Sequence, residues 1–232
     1  MEIKSLASGS SGNCYWISDG ESPLLIEAGI SIKKIKEKLN YKLHEVDGCL
    51  CSHEHGDHSK SIKELCQAGI NCYMSPGTAE KVGYHNHRVT PISVLEPIGN
   101  WNVKPFDCQH DAAEPIGFLI QNQKTNEQLL YLTDSIYSKF RFHGLNYIML
   151  EVNFCKEILN KNVSKGIISP ARKNRVIRSH MGLETAKEFL RANDLSQVRE
   201  IWLLHLSDRN SNAEQFKKEI QQITGRPVKV AE

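Results

Sequence analysis

The sequence predicts a layered α/β fold, in which sheets pack together and helices cover them. Short apolar runs alternate with amphipathic segments over all 232 residues, and this alternation is typical of sheets with helices on the outside. No linker rich in Pro, Gly or Ser and no internal repeat interrupts it. A chain of this length makes either one large domain or two small ones.

The composition is that of an ordinary globular protein. Hydrophobic residues make up 40 % and charged residues 24 %, so disorder, collagen and coiled coil are not expected. The net charge of +2 is unlike that of proteins that coat long nucleic acids. Seven cysteines without a Cys-x-x-Cys pair predict reduced, mostly buried thiols. Because the sequence shows neither an apolar span nor an apolar leader, we expect a cytoplasmic protein, in the host cytoplasm if the source is a virus.

In the first half of the chain, strands and two helices are predicted. Ser31 can cap a helix that carries Ile32, Ile35 and Leu39 on one face. A second helix is predicted over residues 59–68. The predicted strands are Ile3–Leu6, Cys14–Ser18, Pro23–Ile26, Val46–Cys51, Asn71–Met74, Val89–Leu95 and Val103–Cys108.

The second half continues the alternation. Ser211-x-x-Glu214 has the form of a capping box for the last helix. The stretch between Glu157 and Glu184 contains no acidic residue and is interpreted as a basic loop. The predicted strands are Ile116–Gln121, Gln128–Thr133, Tyr147–Glu151 and Ile201–Leu204, and the predicted helices are Leu183–Ala192 and Asn212–Ile223.

The strongest chemical signal is the hexapeptide His53-Glu54-His55-Gly56-Asp57-His58, directly after a predicted strand. Three imidazoles and a carboxylate this close together are natural ligands of a divalent metal ion. His53 and His55 can point to one side of an extended loop, whereas Asp57 and His58 turn away as a helix begins. Two adjacent ions therefore satisfy the pattern more easily than one, and solvated histidines on a polar loop are the alternative.

Three further candidate ligands follow apolar strands. His110, Asp134 and His205 each come after the carboxyl end of a predicted strand, where functional residues collect in layered sheet folds. The order His-x-His-x-Asp-His, then His, Asp and His, resembles the metallo-β-lactamase superfamily over nearly the whole chain. This resemblance implies a single domain over residues 1–232 with the four-layer αββα sandwich of that family.

The resemblance also implies two metal ions, zinc or in some members manganese. True β-lactamases lack the pattern with a bridging aspartate, so an antibiotic substrate is not expected. The family normally has Asp-x-Gly where this chain has Glu27-Ala28-Gly29; Glu27 is then expected to orient the metal loop, an exposed glutamate being the alternative. The implied ligands are His53, His55 and His110 for the first ion, Asp57, His58 and His205 for the second, and Asp134 bridging both.

A two-metal site suits in-line displacement at phosphorus. Asp57 can orient the attacking hydroxide, and His180 is the candidate proton donor for the leaving oxygen. Ribonuclease Z-like members of the superfamily have a histidine in this interval, paired with a segment that Glu151-Val152-Asn153-Phe154 resembles. Glu151 and Asn153 are then expected to contact the scissile phosphate.

Two basic or glycine-rich segments are candidates for binding the substrate. Arg172, Arg175 and Arg178 lie in the basic stretch beside His180 and can attract a phosphate. Backbone N–H groups in the turn around Ser10 can do the same, although a plain hairpin turn explains that sequence equally well.

Closer similarity narrows the substrate. The segments Leu6 to Asn13, His110 to Pro115, Ser179-His180 and His205 to Ser207 resemble phage anti-Pycsar proteins, which are homodimeric phosphodiesterases of cyclic mononucleotides, and YycJ-type DNA exonucleases. Because a duplex nuclease must neutralise several phosphates and this chain is nearly neutral, we predict a homodimeric cyclic nucleotide phosphodiesterase. The alternatives are a DNA exonuclease and, more remotely, a non-catalytic metal-binding scaffold.

Overall fold

The computed structural model describes all 232 residues, and the chain forms two compact units. Unit 1 comprises Met1–Asp107, Ala112–Glu127 and Glu232, and unit 2 comprises Cys108–Asp111 and Gln128–Ala231. The single domain over residues 1–232 stays a prediction. Neither unit contains a helix whose length and apolar character would let it cross a membrane.

Unit 1 contains a six-stranded sheet whose strand order follows the sequence. The first three strands pair antiparallel, and the pairs from the third strand to the sixth are parallel. The central strands are fully buried, as expected where both faces of a sheet are covered. The strands are β1 (Glu2–Ala7), β2 (Cys14–Ser18), β3 (Leu24–Ile26), β4 (Gly48–Leu50), β5 (Cys72–Met74) and β6 (Val89–Pro91).

Three more strands of unit 1 pair antiparallel in sequence order. They are β7 (Glu96–Ile98), β8 (Trp101–Asp107) and β9 (Ile116–Asn122). The helices of this unit are α1 (Ile32–Lys38), α2 (Gly56–Ser59), α3 (Ile62–Gln67) and α4 (Pro76–Val82). Ile35, Ile62 and Leu65 from these helices join the apolar core beneath the six-stranded sheet, and six of the seven free cysteines of the chain are buried, as predicted.

The second helix predicted in unit 1 is wrong in its extent. The helix is interrupted between α2 and α3 because the Ser61 N–H donates to the carbonyl of Ala28 (2.9 Å) rather than to a carbonyl of the helix. The Ser61 hydroxyl also donates to the carbonyl of Ile30 (2.7 Å). The first helix begins as predicted, since the Ser31 side chain accepts the N–H of Lys34.

Unit 2 is built on parallel strands, whose order is β10-β11-β12-β13. Every residue of the second of these strands is buried, so helices cover it on both sides. The strands are β10 (Gln128–Leu132), β11 (Tyr147–Glu151), β12 (Glu200–Leu204) and β13 (Val228–Val230), and the helices are α5 (Lys156–Ser164), α6 (Pro170–Ser179), α7 (Leu183–Arg191) and α8 (Ala213–Thr224).

Two predictions in unit 2 are wrong. The basic stretch is helical and not a loop: Ser169 caps α6 by accepting the N–H of Arg172, and Pro170 occupies the first turn, where its missing N–H costs nothing. The cap of α8 is Asn212, whose side chain accepts the N–H of Gln215 (3.0 Å). The Ser211 hydroxyl instead donates to the carbonyl of Ser207 (2.6 Å).

Candidate metal centre

The histidine-rich loop of unit 1 joins β4 to α2 and packs its imidazoles against one another. His53 Nε2 lies 3.1 Å from His55 Nδ1, and the ring centroids of His53 and His58 are 4.2 Å apart. The Ser52 hydroxyl lies 2.9 Å from His53 Nδ1 and fixes that ring on its other side. His55 occupies the N-cap position of α2, so the following Asp57 and His58 start a helical turn.

Glu27 supports this loop through contacts of its carboxylate. Its side chain is fully buried, so the alternative of an exposed strand-end glutamate is wrong. The carboxylate accepts the N–H of Ser52 (3.3 Å) and lies 3.5 Å from His58 Nδ1. The φ angle of Glu27 is +66°, a left-handed conformation that is uncommon for a residue with a long side chain.

Asn13 holds the same segment from the glycine-rich turn. Its fully buried side chain lies 3.2 Å from His58 Nε2 and donates to the carbonyl of Asp57 (3.3 Å). Its amide oxygen accepts the N–H of Gly9 (3.0 Å) and the hydroxyl of Tyr15 (3.2 Å). Sequence reasoning missed Asn13, because an asparagine at the end of a Gly/Ser turn gives no sign that its side chain is buried. Ser10, the predicted phosphate contact, is exposed at the tip of this turn.

Gly29 allows the backbone segments around Asp57 to approach each other closely. A Cβ at this position would lie 1.7 Å from the carbonyl oxygen of Asp57. The Gly29 N–H donates to the carbonyl of Asn13 (2.8 Å), and the Ala28 N–H donates to that of His58 (2.7 Å). The glycine of the Glu27-Ala28-Gly29 segment is therefore required by packing against the metal loop.

Unit 2 collects a second group of acids and histidines at the ends of its strands. The ligand atoms of Asp134, Glu151, His180 and His205 all lie within 4.8 Å of one another and form one cluster. Asp134 follows the end of β10 and His205 follows β12, and both have left-handed backbones, with φ angles of +42° and +51°. Strain of this kind clusters at functional sites. His205 Nδ1 lies 2.5 Å from Asp134 Oδ1.

His180, at the end of α6, forms an ion pair with a buried carboxylate. Its Nδ1 lies 2.7 Å from Glu151 Oε1 and 3.7 Å from Asp134 Oδ1. Burial opposes the charge on His180, but the two carboxylates outweigh it and raise its pKa to about 10. The other oxygen of Glu151 accepts the N–H groups of Met181 (3.1 Å) and Ser135 (3.2 Å). Glu151 thus fixes the imidazolium on a rigid support.

The pKa of His110 is shifted in the opposite direction. Its Nδ1 lies 2.7 Å from the carbonyl oxygen of Ser179, and its Nε2 lies 3.5 Å from Asp134 Oδ2. Burial lowers the pKa of His110 despite this neighbouring carboxylate. Neutral imidazole is the form that binds metal ions. The shift at His110 therefore favours metal binding, whereas the shift at His180, whose ring centroid is 5.5 Å away, favours holding a proton.

The predicted substrate contacts of unit 2 lie on two different elements. Asn153 is buried, and its amide donates to the carbonyl of His205 (2.9 Å), which supports the left-handed turn there. Arg172, Arg175 and Arg178 are exposed on one face of α6 at a spacing of three residues. The Arg175 guanidinium lies 3.8 Å from the carboxylate of Asp111, next to His110.

The donor set of each unit fits a divalent ion. Neutral imidazoles and carboxylates are ligands that zinc and manganese accept, and both units supply them from buried or half-buried side chains. The structure brings together His53, His55, Asp57 and His58 in unit 1, and His110, Asp134 and His205 in unit 2.

Comparison with known proteins gives one family match and several curated relatives. The model described as beta-lactamase superfamily domain matches residues 24–206. Exodeoxyribonuclease WalJ of Streptococcus pneumoniae is 27 % identical over 225 residues, covering 89 % of this chain and 81 % of its own length. Exodeoxyribonuclease YycJ of Bacillus anthracis is 26 % identical over 240 residues, covering 96 % of this chain and 89 % of its own length.

Solved structures share the fold. The metallo-beta-lactamase fold protein YhfI of Bacillus subtilis superposes with a TM-score of 0.74 at 16 % identity, over 99 % of this chain and 95 % of that one. The short form of human tRNase Z gives a TM-score of 0.65 at 16 % identity, over 100 % and 96 %. The predicted αββα fold class is therefore confirmed.

Proposed function

This chain belongs to the beta-lactamase superfamily, and from that membership we propose that it is a metal-dependent phosphodiesterase whose substrates are nucleotides. The resemblance predicted from its motifs is confirmed by the family match, and with it the class of metallohydrolase. The histidine and aspartate set indicates a dinuclear metal site.

The ion pair between His180 and Glu151 is the observation that supports phosphodiester chemistry best. The alkoxide that leaves a phosphodiester is a strong base and needs a proton as the bond to phosphorus breaks. Because His180 Nδ1 faces Glu151 at 2.7 Å, Nε2 is the ring nitrogen that can donate to the leaving oxygen. Glu151 stabilises the imidazolium and fixes its orientation, as the buried carboxylate of a catalytic triad does for its histidine.

The metal ligands are proposed from the family motif together with the donors described above. Two divalent ions, proposed to be zinc with manganese as a substitute, would supply a nucleophile at neutral pH and stabilise charge on the phosphate oxygens. Asp57, whose carboxylate is 27 % exposed, would orient the attacking oxygen. The proposed ligands are His53, His55, Asp57 and His58 from unit 1 and His110, Asp134 and His205 from unit 2.

A cyclic mononucleotide is the substrate that the charge distribution favours. The net charge is only +2, and the basic residues beside His180 are concentrated on one short helix. Three arginines on one face of α6 suit capture of a single phosphate, whereas affinity for a long duplex rises with each further phosphate neutralised. We also propose a homodimer, which the similarity to anti-Pycsar proteins implies.

Exodeoxyribonuclease activity is the second candidate, and the curated relatives favour it. The WalJ and YycJ proteins carry that name, and they align with this chain over most of their own lengths. The same proton donor and metal ligands would serve a DNA strand, so the two candidates differ only in the substrate.

Incubation of the purified protein with cyclic CMP, cyclic UMP, cyclic AMP and linear duplex DNA, each with zinc or manganese, tests the proposal. We expect opening of the cyclic nucleotides to linear monophosphates, lost on chelation. Asp57→Ala and Asp134→Ala, one variant in each unit, are expected to lower the rate about a thousandfold or more, while Asp194→Ala, which removes an exposed carboxylate, serves as the control. Rapid loss of duplex with intact cyclic nucleotides would replace the first candidate by the second, and hydrolysis of neither would contradict both.

A further inference from the structure

The segment that follows Asp134 is tied closely to the segment that carries His110. The Gln109 N–H donates to the Ser135 hydroxyl (3.1 Å), and the Ile136 N–H donates to the carbonyl of Gln109 (3.0 Å). The Ser135 hydroxyl in turn donates to the carbonyl of Tyr137 (2.9 Å). These bonds fix the backbone of Tyr137, which lies three residues after the proposed ligand Asp134. They also hold its segment beside the one that carries His110.

Tyr137 is one of two strongly exposed tyrosines, and its position is fixed at both ends. Its hydroxyl accepts the side-chain N–H of Gln109 (3.2 Å), while 44 % of the residue remains exposed. An aromatic ring that is held in place but left uncovered loses little conformational freedom when a flat ligand stacks on it. The other such tyrosine, Tyr41, lies in unit 1 and is 70 % exposed.

Tyr137 borders a cleft of about 280 Å³ in unit 2. One wall is the chain that follows Asp134, and the other is α7, which begins three residues after His180. Phe140 and Phe189 add aromatic surface, and the exposed cations Lys139 and Arg141 outnumber the one carboxylate of the lining, Glu188. The cleft thus starts from the two segments that carry the metal-binding and proton-donating groups, and its lining is aromatic and cationic.

We propose that Tyr137 and this cleft form the subsite that binds the nucleobase of the substrate, with the base stacked on the tyrosine ring. The inference rests on the proposed nucleotide substrate. The base is the flat, aromatic part of such a molecule and suits the tyrosine ring, and its phosphate is attracted by the cations of the lining. Proteins that bind single-stranded nucleic acids without sequence preference stack the bases on aromatic side chains beside basic residues, because every base has a flat aromatic face. The subsite therefore contributes to substrate affinity and leaves the chemical step to the ligands and His180.

Steady-state kinetics of Tyr137→Ala and Tyr137→Phe test the subsite. The substrates are a nucleotide that the wild-type protein hydrolyses and the same sugar phosphodiester without its base, an abasic cyclic phosphate or an abasic oligonucleotide end. For Tyr137→Ala we expect KM for the nucleotide to rise about 10- to 100-fold, with kcat within twofold of wild type and no change for the base-free substrate. Tyr137→Phe retains the ring and is expected to stay near wild type, as is Tyr41→Ala, the matched control.

Calorimetric binding of the product monophosphate and of ribose 5-phosphate gives an independent measurement. Tyr137→Ala is expected to weaken binding of the nucleoside monophosphate by the same factor and to leave ribose 5-phosphate unaffected. An unchanged KM for the nucleotide in Tyr137→Ala would overturn the subsite while the phosphodiesterase stands, and so would an equal loss for base-free and base-bearing substrates. A wild-type protein that hydrolyses no nucleotide would overturn the proposed function and this inference together.

Discussion

The two units hold their candidate ligands in different ways. In unit 1, four of them lie within six consecutive residues, and hydrogen bonds with the Asn13 amide, the Glu27 carboxylate and the Ala28 N–H support that short loop. In unit 2, Asp134 and His205 follow different strands and have left-handed backbone conformations, and His110 lies on a segment that is hydrogen-bonded to the segment after Asp134. A contiguous loop needs outside support to keep its shape, whereas strand ends are positioned by the sheet itself.

The units also differ in the chemistry they offer. Unit 1 contributes imidazoles and one carboxylate, all proposed to bind metal. Unit 2 adds the ion pair of His180 with Glu151, in which the carboxylate raises the pKa of the histidine and stabilises its proton. We infer that each unit supplies candidate metal ligands and that only unit 2 supplies the proton for the leaving group.

The largest effect in this comparison is expected for His180→Ala, and it separates proton donation in unit 2 from metal binding in unit 1. His180→Ala should slow hydrolysis of cyclic nucleotides by about 10²–10⁴-fold, the usual contribution of a general acid, and should retain the full metal content by elemental analysis. His58→Ala in unit 1 should lose bound metal as well as activity. A p-nitrophenyl phosphodiester, whose leaving group needs no proton, should show a much smaller loss with His180→Ala. Equal losses for the two substrates would contradict the proton-donor role.

What could be predicted from the sequence follows from the same difference. The loop His53 to His58 is visible because its donors are neighbours in the chain. His110, Asp134 and His205 were predicted from strand ends and from the order of the motif. The contact of Asp134 with His205 depends on the parallel pairing of β10, β11 and β12, and that of His110 with Asp134 depends on the hydrogen bonds between Gln109 and the segment after Asp134; pattern alone gives neither.

The supporting residues and the basic helix were harder to predict. Asn13 resembles any other turn residue until its burial is known, and the left-handed conformation of Glu27 has no signature in a glutamate. The helix α6 was missed because its basic residues suggested a solvated loop, although Ser169-Pro170 is a common start of a helix.

The second prediction concerns the outside support of the unit 1 loop. Asn13→Ala removes the amide that contacts the His58 ring and the Asp57 carbonyl, and residues that orient metal ligands typically contribute 10- to 100-fold in metal affinity. We therefore expect metal affinity, measured by competition with a chromophoric chelator, to fall by about that factor.

Asn122→Ala is the matched control for this prediction. Asn122 is also fully buried in unit 1 and also uses both ends of its amide, donating to Asp19 and accepting the N–H groups of Lys124 and Thr125. Both variants should lose about 1–3 kcal/mol of unfolding free energy because buried partners are left unsatisfied. A loss of metal affinity of the same size in Asn122→Ala would show that general destabilisation is responsible, and the contrast between loop and strand ends would then fail.

The smallest effect is expected on the outer face of unit 2, where the arginines of α6 are exposed and screened by solvent. Charges of this kind accelerate the encounter with an anion and contribute little once it is bound. Each of Arg172→Ala and Arg178→Ala should lower kcat/KM for a cyclic nucleotide by about two- to fivefold at low salt, with kcat unchanged, and the loss should fade as ionic strength rises. Arg175→Ala should lower kcat/KM more than either of these variants. The Arg175 guanidinium faces Asp111 beside His110, and its removal leaves that carboxylate to repel the substrate. If all three losses persist at high salt and appear in kcat, the arginines take part in the chemical step, and unit 2 then contributes more to catalysis than the His180 and Glu151 pair alone.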